Sequence, residues 1–193
     1  QNYILKKEPI VAATYLANFS ELVRMILNNS RNDFIPLETE IKTLKQYLEL
    51  QKLRFNQKFN YELVVDEELE DTTFQIPPML AQPFIENSIE HGFIGMQSKG
   101  LIQILFKLED KSIKLICIDN GIGINQSLKR KKENLSNHQS LATHITYERI
   151  KVINKVYRSQ IILLITDLSH ENTGSTGTKV EIIIPLNLQK NNS

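Results

Sequence analysis

The chain has 193 residues, a formal net charge of +1 and a hydrophobic content of 41%. This length can hold one substantial domain, or one domain and a short appendage, and the near-neutral charge gives no general attraction to nucleic acid or to an anionic membrane. The single cysteine, Cys117, excludes a disulfide framework and a cysteine-rich metal site.

Two amphipathic helices are predicted at the start of the chain. In the first, apolar residues recur at steps of three and four between positions 11 and 27. The second begins at Pro36 and carries apolar residues at steps of four and three over positions 37–55, with Gln51 in one of these places. The pair predicts a helical hairpin, which either packs on a partner or covers the core of its own domain.

The period of the apolar residues changes to two at Phe59, which predicts a strand over residues 59–65 and a domain boundary between residues 57 and 58. Further strands are predicted at 101–108, 113–119, 160–166 and 178–185, with helices after Pro78 and over about residues 141–156. Because the strands arrive mostly in consecutive pairs, the order favours an α+β fold, with a mixed sheet and helices on one face, over a doubly wound sheet.

The helix after Pro78 has an apolar face, formed by Ala81, Phe84, Ile85 and Ser88. Its polar residues project elsewhere: Glu86, Asn87, Glu90 and His91. The side-chain carbonyl of Asn87 is a suitable ligand for Mg²⁺, which takes only one or two ligands from a protein and the rest from phosphates and water. Taken alone, Asn87 is more typical of a polar residue on a solvated helix face, and His91 is more typical of a partnered surface or helix-end histidine than of a ligand.

Asp119 ends a predicted strand and is followed by Asn120, Gly121, Ile122 and Gly123. A carboxylate at a strand end is a fixed acceptor for the exocyclic amine of adenine, and glycines let the backbone approach a ring or a phosphate. The same residues also fit a hairpin turn, although no strand pattern follows them directly.

A second glycine-containing segment precedes the last predicted strand. Gly177 would permit a close approach of the backbone, and the Thr178 hydroxyl could reach the same adenine edge, directly or through water. The alternative for this segment is an ordinary flexible turn.

Three blocks of the sequence resemble the N box, the G1 box and the closing box of LytS-type sensor histidine kinases, members of the GHKL ATPase superfamily: Pro78–Gly92, Asp119–Gly123 and Gly177–Pro185. Residues 36–40 and 47–55 resemble the helix that joins the dimerisation region to the ATPase domain in that family. The resemblance implies a two-layer α/β sandwich of the GHKL (Bergerat) type, preceded by a helical hairpin. It assigns residues 1–57 to the C-terminal part of the dimerisation and phosphotransfer region, and residues 58–193 to the ATP-binding catalytic domain.

The resemblance also implies a role for each matching residue. Asn87 would bind Mg²⁺, and Glu86 would be the catalytic carboxylate that assists proton removal from the phosphoaccepting histidine. The implied nucleotide-binding residues are Asn87, His91, Asp119, Gly121, Gly123, Ser140, Ala142, Gly177 and Thr178. The polar stretch 125–139 would cover the phosphates. A purely structural role is the alternative for Glu86.

The sequence departs from the family pattern at three places. Glu90 stands where the family usually has lysine, and Ser140 and Ala142 occupy glycine positions of the second G box. The acceptor motif, Pro-His-Phe followed by asparagine, is absent. We therefore expect this chain to be a fragment that begins after the phosphoaccepting histidine, which would lie upstream of Gln1 in a longer protein.

The function implied by the resemblance is the catalytic region of a two-component sensor histidine kinase, which transfers the γ-phosphoryl of ATP to that upstream histidine with ATP and Mg²⁺ bound. The implied partners are a second copy of the parent protein and a cognate response regulator, without nucleic acid. The parent protein would sit in the bacterial cytoplasmic membrane through an upstream region, with this portion in the cytoplasm. The alternatives are a catalytically impaired interaction module, favoured by Glu90 and Ala142, and a stand-alone ATPase in which Glu86 activates water.

Overall fold

The computed structural model describes residues 9–70, 74–124, 141–170 and 176–186. Within these residues the α-helices are α1 (Pro9–Asn29), α2 (Leu37–Arg54), α3 (Gln82–Asn87) and α4 (Leu141–Tyr157). A wider π-helical turn, Ser88–Gly92, continues α3. The strands are β1 (Ile35–Pro36), β2 (Phe59–Val65), β3 (Gln75–Ile76), β4 (Gly100–Glu109), β5 (Ser112–Asp119), β6 (Ile162–Asp167) and β7 (Thr178–Pro185).

Five of these strands form one mixed sheet in the order β2-β4-β5-β7-β6. Strand β2 is parallel to β4, and every other neighbouring pair is antiparallel. The predicted α+β class with a mixed sheet is therefore confirmed. The short strands β1 and β3 form a separate antiparallel pair, which two-residue segments are too short to reveal through periodicity.

The core lies on one face of this sheet. Along β4, alternate residues are buried at 0–1% exposure, as a two-residue period requires when one face is covered: Ile102, Ile104 and Phe106. The helices supply residues to the same core: Leu44 and Leu48 from α2, Ile85 from α3, and Ile150 and Ile153 from α4. The predicted strand and helix positions agree with the structure to within a few residues.

The two helices of the hairpin differ in what they cover. Helix α2 buries Leu44 and Leu48 in the core beneath the sheet, so this helix covers its own domain. Helix α1 packs on α2 through Leu22 and through a hydrogen bond from Asn29 Nδ2 to Thr43 Oγ1 at 3.0 Å.

Of the helices in the described residues, none has the length and the apolar character that a membrane span requires. The division between residues 57 and 58 stays a prediction.

A buried carboxyl, Glu40 of α2, supports the segment that enters α3. Its Oε1 accepts a hydrogen bond from the backbone N–H of Met79 at 2.8 Å, and Met79 has a left-handed backbone with a φ of 60°. From α4, Arg149 Nη1 donates to the neighbouring carbonyl of Pro78 at 2.5 Å. Burial raises the pKa of Glu40 to about 7, although Met79 and Arg149 both act to lower it.

We expect Glu40 to reduce the stability of the fold as the pH rises from about 4.5 to about 7. In that window the folded state keeps the Glu40 proton while the unfolded chain has lost it, so the free energy of unfolding falls with pH by at most about 3 kcal/mol. Glu40→Gln should flatten this part of the profile in urea unfolding at pH 5 and pH 8. Glu38→Gln, on an exposed position of the same helix, is the control. An unchanged slope in Glu40→Gln would contradict the prediction.

Candidate functional site

A cavity of about 460 Å³ is bounded by the inner face of the sheet and by helices α3 and α4. Its apolar lining includes Phe84, Leu163, Ile165 and Val180, and its polar lining includes Asn87, Ser88, His91, Asp119, Thr143, His144 and Thr178. Burial, reinforced by Asp119, raises the pKa of the Cys117 thiol to about 12, so Cys117 is a neutral part of the wall. A mostly apolar cleft with a few convergent polar groups is typical of a small-molecule site.

Asp119, the last residue of β5, is the charged group that is most firmly held in the cavity wall. Its Oδ2 accepts a hydrogen bond from Ser88 Oγ at 2.7 Å, and its Oδ1 accepts from the backbone N–H groups of Gly121 at 2.8 Å and Thr178 at 3.3 Å. Burial raises the pKa of Asp119, and these three bonds act to lower it. A carboxylate offers about four lone-pair positions, so acceptor capacity remains for a ligand.

Ser88 has a role that the sequence analysis missed. Its spacing places it on the apolar face of α3, where it is indeed buried. The single hydroxyl proton has two acceptors within reach, the carbonyl of Phe84 at 3.0 Å and Asp119 Oδ2 at 2.7 Å, and the closer, charged oxygen is the stronger one. A hydroxyl within an otherwise apolar helix face was the available signal for this contact.

Asn87 lies at the end of α3 with its amide oriented by α4. Its Nδ2 donates a hydrogen bond to Thr143 Oγ1 at 2.9 Å, so the carbonyl Oδ1 is the amide atom available to a cation. In the described ranges, no group of three or more His, Cys, Asp or Glu residues is arranged to hold a metal ion. Mg²⁺ in proteins usually takes one or two ligands from the chain and the others from a bound phosphate and from water.

Glycines allow the segments around Asp119 to approach one another. A Cβ on Gly177, whose φ is +133°, would lie 1.9 Å from the backbone oxygen of Asp119. A Cβ on Gly121 would lie 2.7 Å from the backbone oxygen of Gly92. At these two positions the closely approached atoms belong to the protein itself, and the predicted approach of the Gly121 and Gly177 backbone to a ligand stays a prediction.

The structure brings together many, but not all, of the residues predicted for the site. Those that line the cavity are Asn87, His91, Asp119, Gly123 and Thr178. Gly121 and Gly177 pack around Asp119 instead. Ser140 and the stretch 125–139 lie outside the described residues, as does the side chain of Ala142. The binding roles of all these residues stay predictions.

Two acidic residues of the α3 region face α2 rather than lining the cavity. Glu86 Oε1 accepts a hydrogen bond from the Tyr47 hydroxyl at 2.9 Å, with Gln82 Nε2 at 3.5 Å. Glu90 pairs with Arg54 at 3.8 Å, and both side chains are about half exposed. The position at which the resemblance leads one to expect a lysine is thus part of a surface ion pair.

Residues 1–59 match the family model described as histidine kinase. The sensor protein LytS of Oceanobacillus iheyensis is 32% identical over 125 residues, which cover 65% of this chain and 21% of that protein. The LytS of Enterococcus faecalis is 25% identical over 185 residues, which cover 95% of this chain and 30% of that protein. The chain therefore spans less than a third of the length of these relatives.

A solved structure supports the same fold. The histidine kinase domain of the blue-light activated histidine kinase from Erythrobacter litoralis EL346 aligns with a TM-score of 0.57 and 18% identity, over 94% of this chain and 84% of that chain. At this identity the likeness supports the fold alone.

Proposed function

Since the chain belongs to the LytS-type sensor histidine kinases of the GHKL superfamily, we propose that its cavity binds Mg-ATP for transfer of the γ-phosphoryl group to a histidine of the parent protein. The observation that carries the proposal is the arrangement of Asp119. This buried carboxylate is fixed by three donors in the wall of the cavity and still has acceptor capacity for an adenine amine.

The remaining residues supply complementary contacts. The Thr178 side chain, next to Asp119 in the cavity lining, can reach the same adenine edge, and Gly123 and His91 line the same space. Asn87 Oδ1 would hold Mg²⁺. Mg²⁺ held there would supply positive charge to offset the charge of the phosphates during transfer.

The chemical step that we propose is a single phosphoryl transfer. One nitrogen of the acceptor histidine forms a bond to the γ-phosphorus while the bond from that phosphorus to the bridging oxygen of ADP breaks, and ADP leaves. The other ring nitrogen gives its proton to the Glu86 carboxylate. Glu86 directly precedes Asn87 in α3, but the two side chains point in different directions, Glu86 toward α2 and Asn87 into the cavity. Catalysis then comes mainly from positioning and charge neutralisation.

The exposed side of α1 suggests how copies of the parent protein would pair. Four apolar residues, at steps of three and four along this helix, remain 36–57% exposed: Leu16, Phe19, Val23 and Leu27. We propose that this stripe packs against a second copy of the parent protein. A cognate response regulator would receive the phosphoryl group, and an upstream region would attach the parent protein to the cytoplasmic membrane, with this portion in the cytoplasm.

One observation favours the catalytically impaired interaction module as a second candidate. Glu90 stands where the resemblance leads one to expect a lysine, and it pairs with Arg54 at 3.8 Å. An impaired module would bind nucleotide weakly or would fail to phosphorylate the acceptor histidine.

Calorimetric titration with Mg-ATP tests the nucleotide site. We expect saturable binding that weakens when Mg²⁺ is chelated and when GTP replaces ATP, because guanine presents a carbonyl where adenine presents its amine. A flat titration would refute the site. Radioactive ATP supplied to the full-length parent protein then separates the two candidates, because only a kinase labels its histidine.

Ser88→Ala should weaken Mg-ATP binding about tenfold, because Asp119 loses a charge-assisted hydrogen bond that orients it. Ser20→Ala is the matched control, since the Ser20 hydroxyl bonds only the helix carbonyl of Leu16 in an exposed part of α1. Calorimetry on both variants measures the difference. Equal affinities of Ser88→Ala and the wild type would show that Asp119 is oriented without Ser88.

A further inference from the structure

Helix α2 contacts the proposed proton acceptor directly. The hydroxyl of Tyr47 donates to Glu86 Oε1 at 2.9 Å, and these two residues are 39 positions apart in the chain. Tyr47 is 4% exposed, so its ring is fixed within the core. In the described part of the chain, Oε2 of Glu86 makes no hydrogen bond or ion pair and is the oxygen available to accept a proton.

Tyr47 acts as a donor under all ordinary conditions. Burial, followed by the charge of Glu86 and its hydrogen bond, raises the pKa of Tyr47 far above its usual value. The phenol therefore keeps its proton over the whole working pH range. Because a neutral phenol has one proton and Glu86 Oε1 is the acceptor it contacts, the bond from Tyr47 fixes one carboxylate oxygen and does not use the other.

A second contact, between α2 and the π-helical turn that continues α3, is weaker. Arg54, seven residues after Tyr47 on α2, pairs with Glu90 at 3.8 Å, and both side chains are about half exposed. Surface pairs of this kind contribute little because water screens the charges and both side chains lose conformational freedom. The buried bond from Tyr47 is thus the contact through which α2 can control the orientation of Glu86.

We propose that Tyr47 is a positioning residue, whose hydroxyl holds the Glu86 carboxylate in the orientation from which it takes the proton of the acceptor histidine. This inference rests on the proposed function. The positioning role of Tyr47 has a regulatory consequence. Helix α2 follows α1 along the chain, and the Tyr47–Glu86 bond joins α2 to the proposed proton acceptor. A shift of α2 that breaks the bond would release Glu86 and slow the transfer without altering the nucleotide cavity, whose lining does not include Tyr47.

The test compares Tyr47→Phe with the wild type in the full-length parent protein, at saturating Mg-ATP. We expect the rate of histidine labelling to fall about tenfold, while the dissociation constant for Mg-ATP changes less than about twofold. Tyr61→Phe is the matched control, because the Tyr61 hydroxyl also donates to a glutamate, Glu49, at 2.6 Å. That pair lies at an exposed site and outside the cavity lining. Its labelling rate should equal that of the wild type.

A second arm uses Glu86→Gln as the background. If Tyr47 acts through Glu86, adding Tyr47→Phe to Glu86→Gln should change the remaining labelling rate less than about twofold. A wild-type rate in Tyr47→Phe, an equal loss in both backgrounds, or a large loss of Mg-ATP affinity would overturn the positioning role while leaving the proposed function intact. A wild-type protein that binds no Mg-ATP would overturn both.

Discussion

Asp119→Asn is expected to weaken Mg-ATP binding at least about a hundredfold, the largest functional effect among the single substitutions considered. The amide offers one acceptor oxygen in place of two, whereas Ser88, Gly121 and Thr178 all donate to the carboxylate. At least one of these donors would face an NH₂ group. The amide would also place a donor toward the adenine amine, which is itself a donor.

Calorimetric titration of Asp119→Asn with Mg-ATP measures this loss. Asp66→Asn is the matched control, because Asp66 also accepts a hydrogen bond from a backbone N–H, that of Leu108 at 3.1 Å, but lies outside the cavity lining. Its affinity should equal that of the wild type. Mg-ATP binding that survives Asp119→Asn would remove Asp119 from the adenine site and would leave the proposed function without its main support.

Gly177→Ala is expected to lower the free energy of unfolding by about 4 kcal/mol, the largest effect on stability. The added Cβ would lie 1.9 Å from the backbone oxygen of Asp119, and the φ of +133° is a conformation that alanine rarely adopts. Backbone cannot yield as a flexible side chain would. Relief of the clash would move the start of β7 away from Asp119 and would break the hydrogen bond from Thr178.

Urea unfolding gives the stability of Gly177→Ala, and Mg-ATP titration shows whether the displaced strand also weakens the site. Gly92→Ala is the control for adding a methyl group near Asp119, because its nearest contact would be 3.6 Å, an ordinary van der Waals distance. We expect Gly92→Ala to change the unfolding free energy by less than about 1 kcal/mol. Equal stability of the two alanine variants would contradict the close approach of Gly177 to Asp119.

Local periodicity was enough to predict most of the helices and strands. Alternate burial along β4 follows from the two-residue period, and the apolar face of α3 follows from helical spacing. The paired order of strands correctly indicated an α+β fold with a mixed sheet. Packing alone showed that α2 covers the core of its own domain, because an amphipathic stripe shows that a surface is to be covered without showing by what. What covers the exposed stripe of α1 stays a proposal.

The candidate site was likewise only partly predictable from the sequence. The position of Asp119 at a strand end and the polar residues of α3 were visible in the sequence, because each depends on neighbours in the chain. The partners of these residues were not visible. The bonds from Ser88 to Asp119, from Tyr47 to Glu86 and from Asn87 to Thr143 join residues 31, 39 and 56 positions apart.

The residue pattern was thus sufficient to predict the fold class, the apolar faces of the elements and the chemical types available at the site. The pairing of side chains became visible only in the folded chain: Ser88 with Asp119, Tyr47 with Glu86, and Glu90 with Arg54. Helix and strand periods arise from backbone geometry over a few residues, so they can be recognised in the sequence. Contacts between elements depend on strand order and on how each helix is rotated against the sheet, which the whole core sets together.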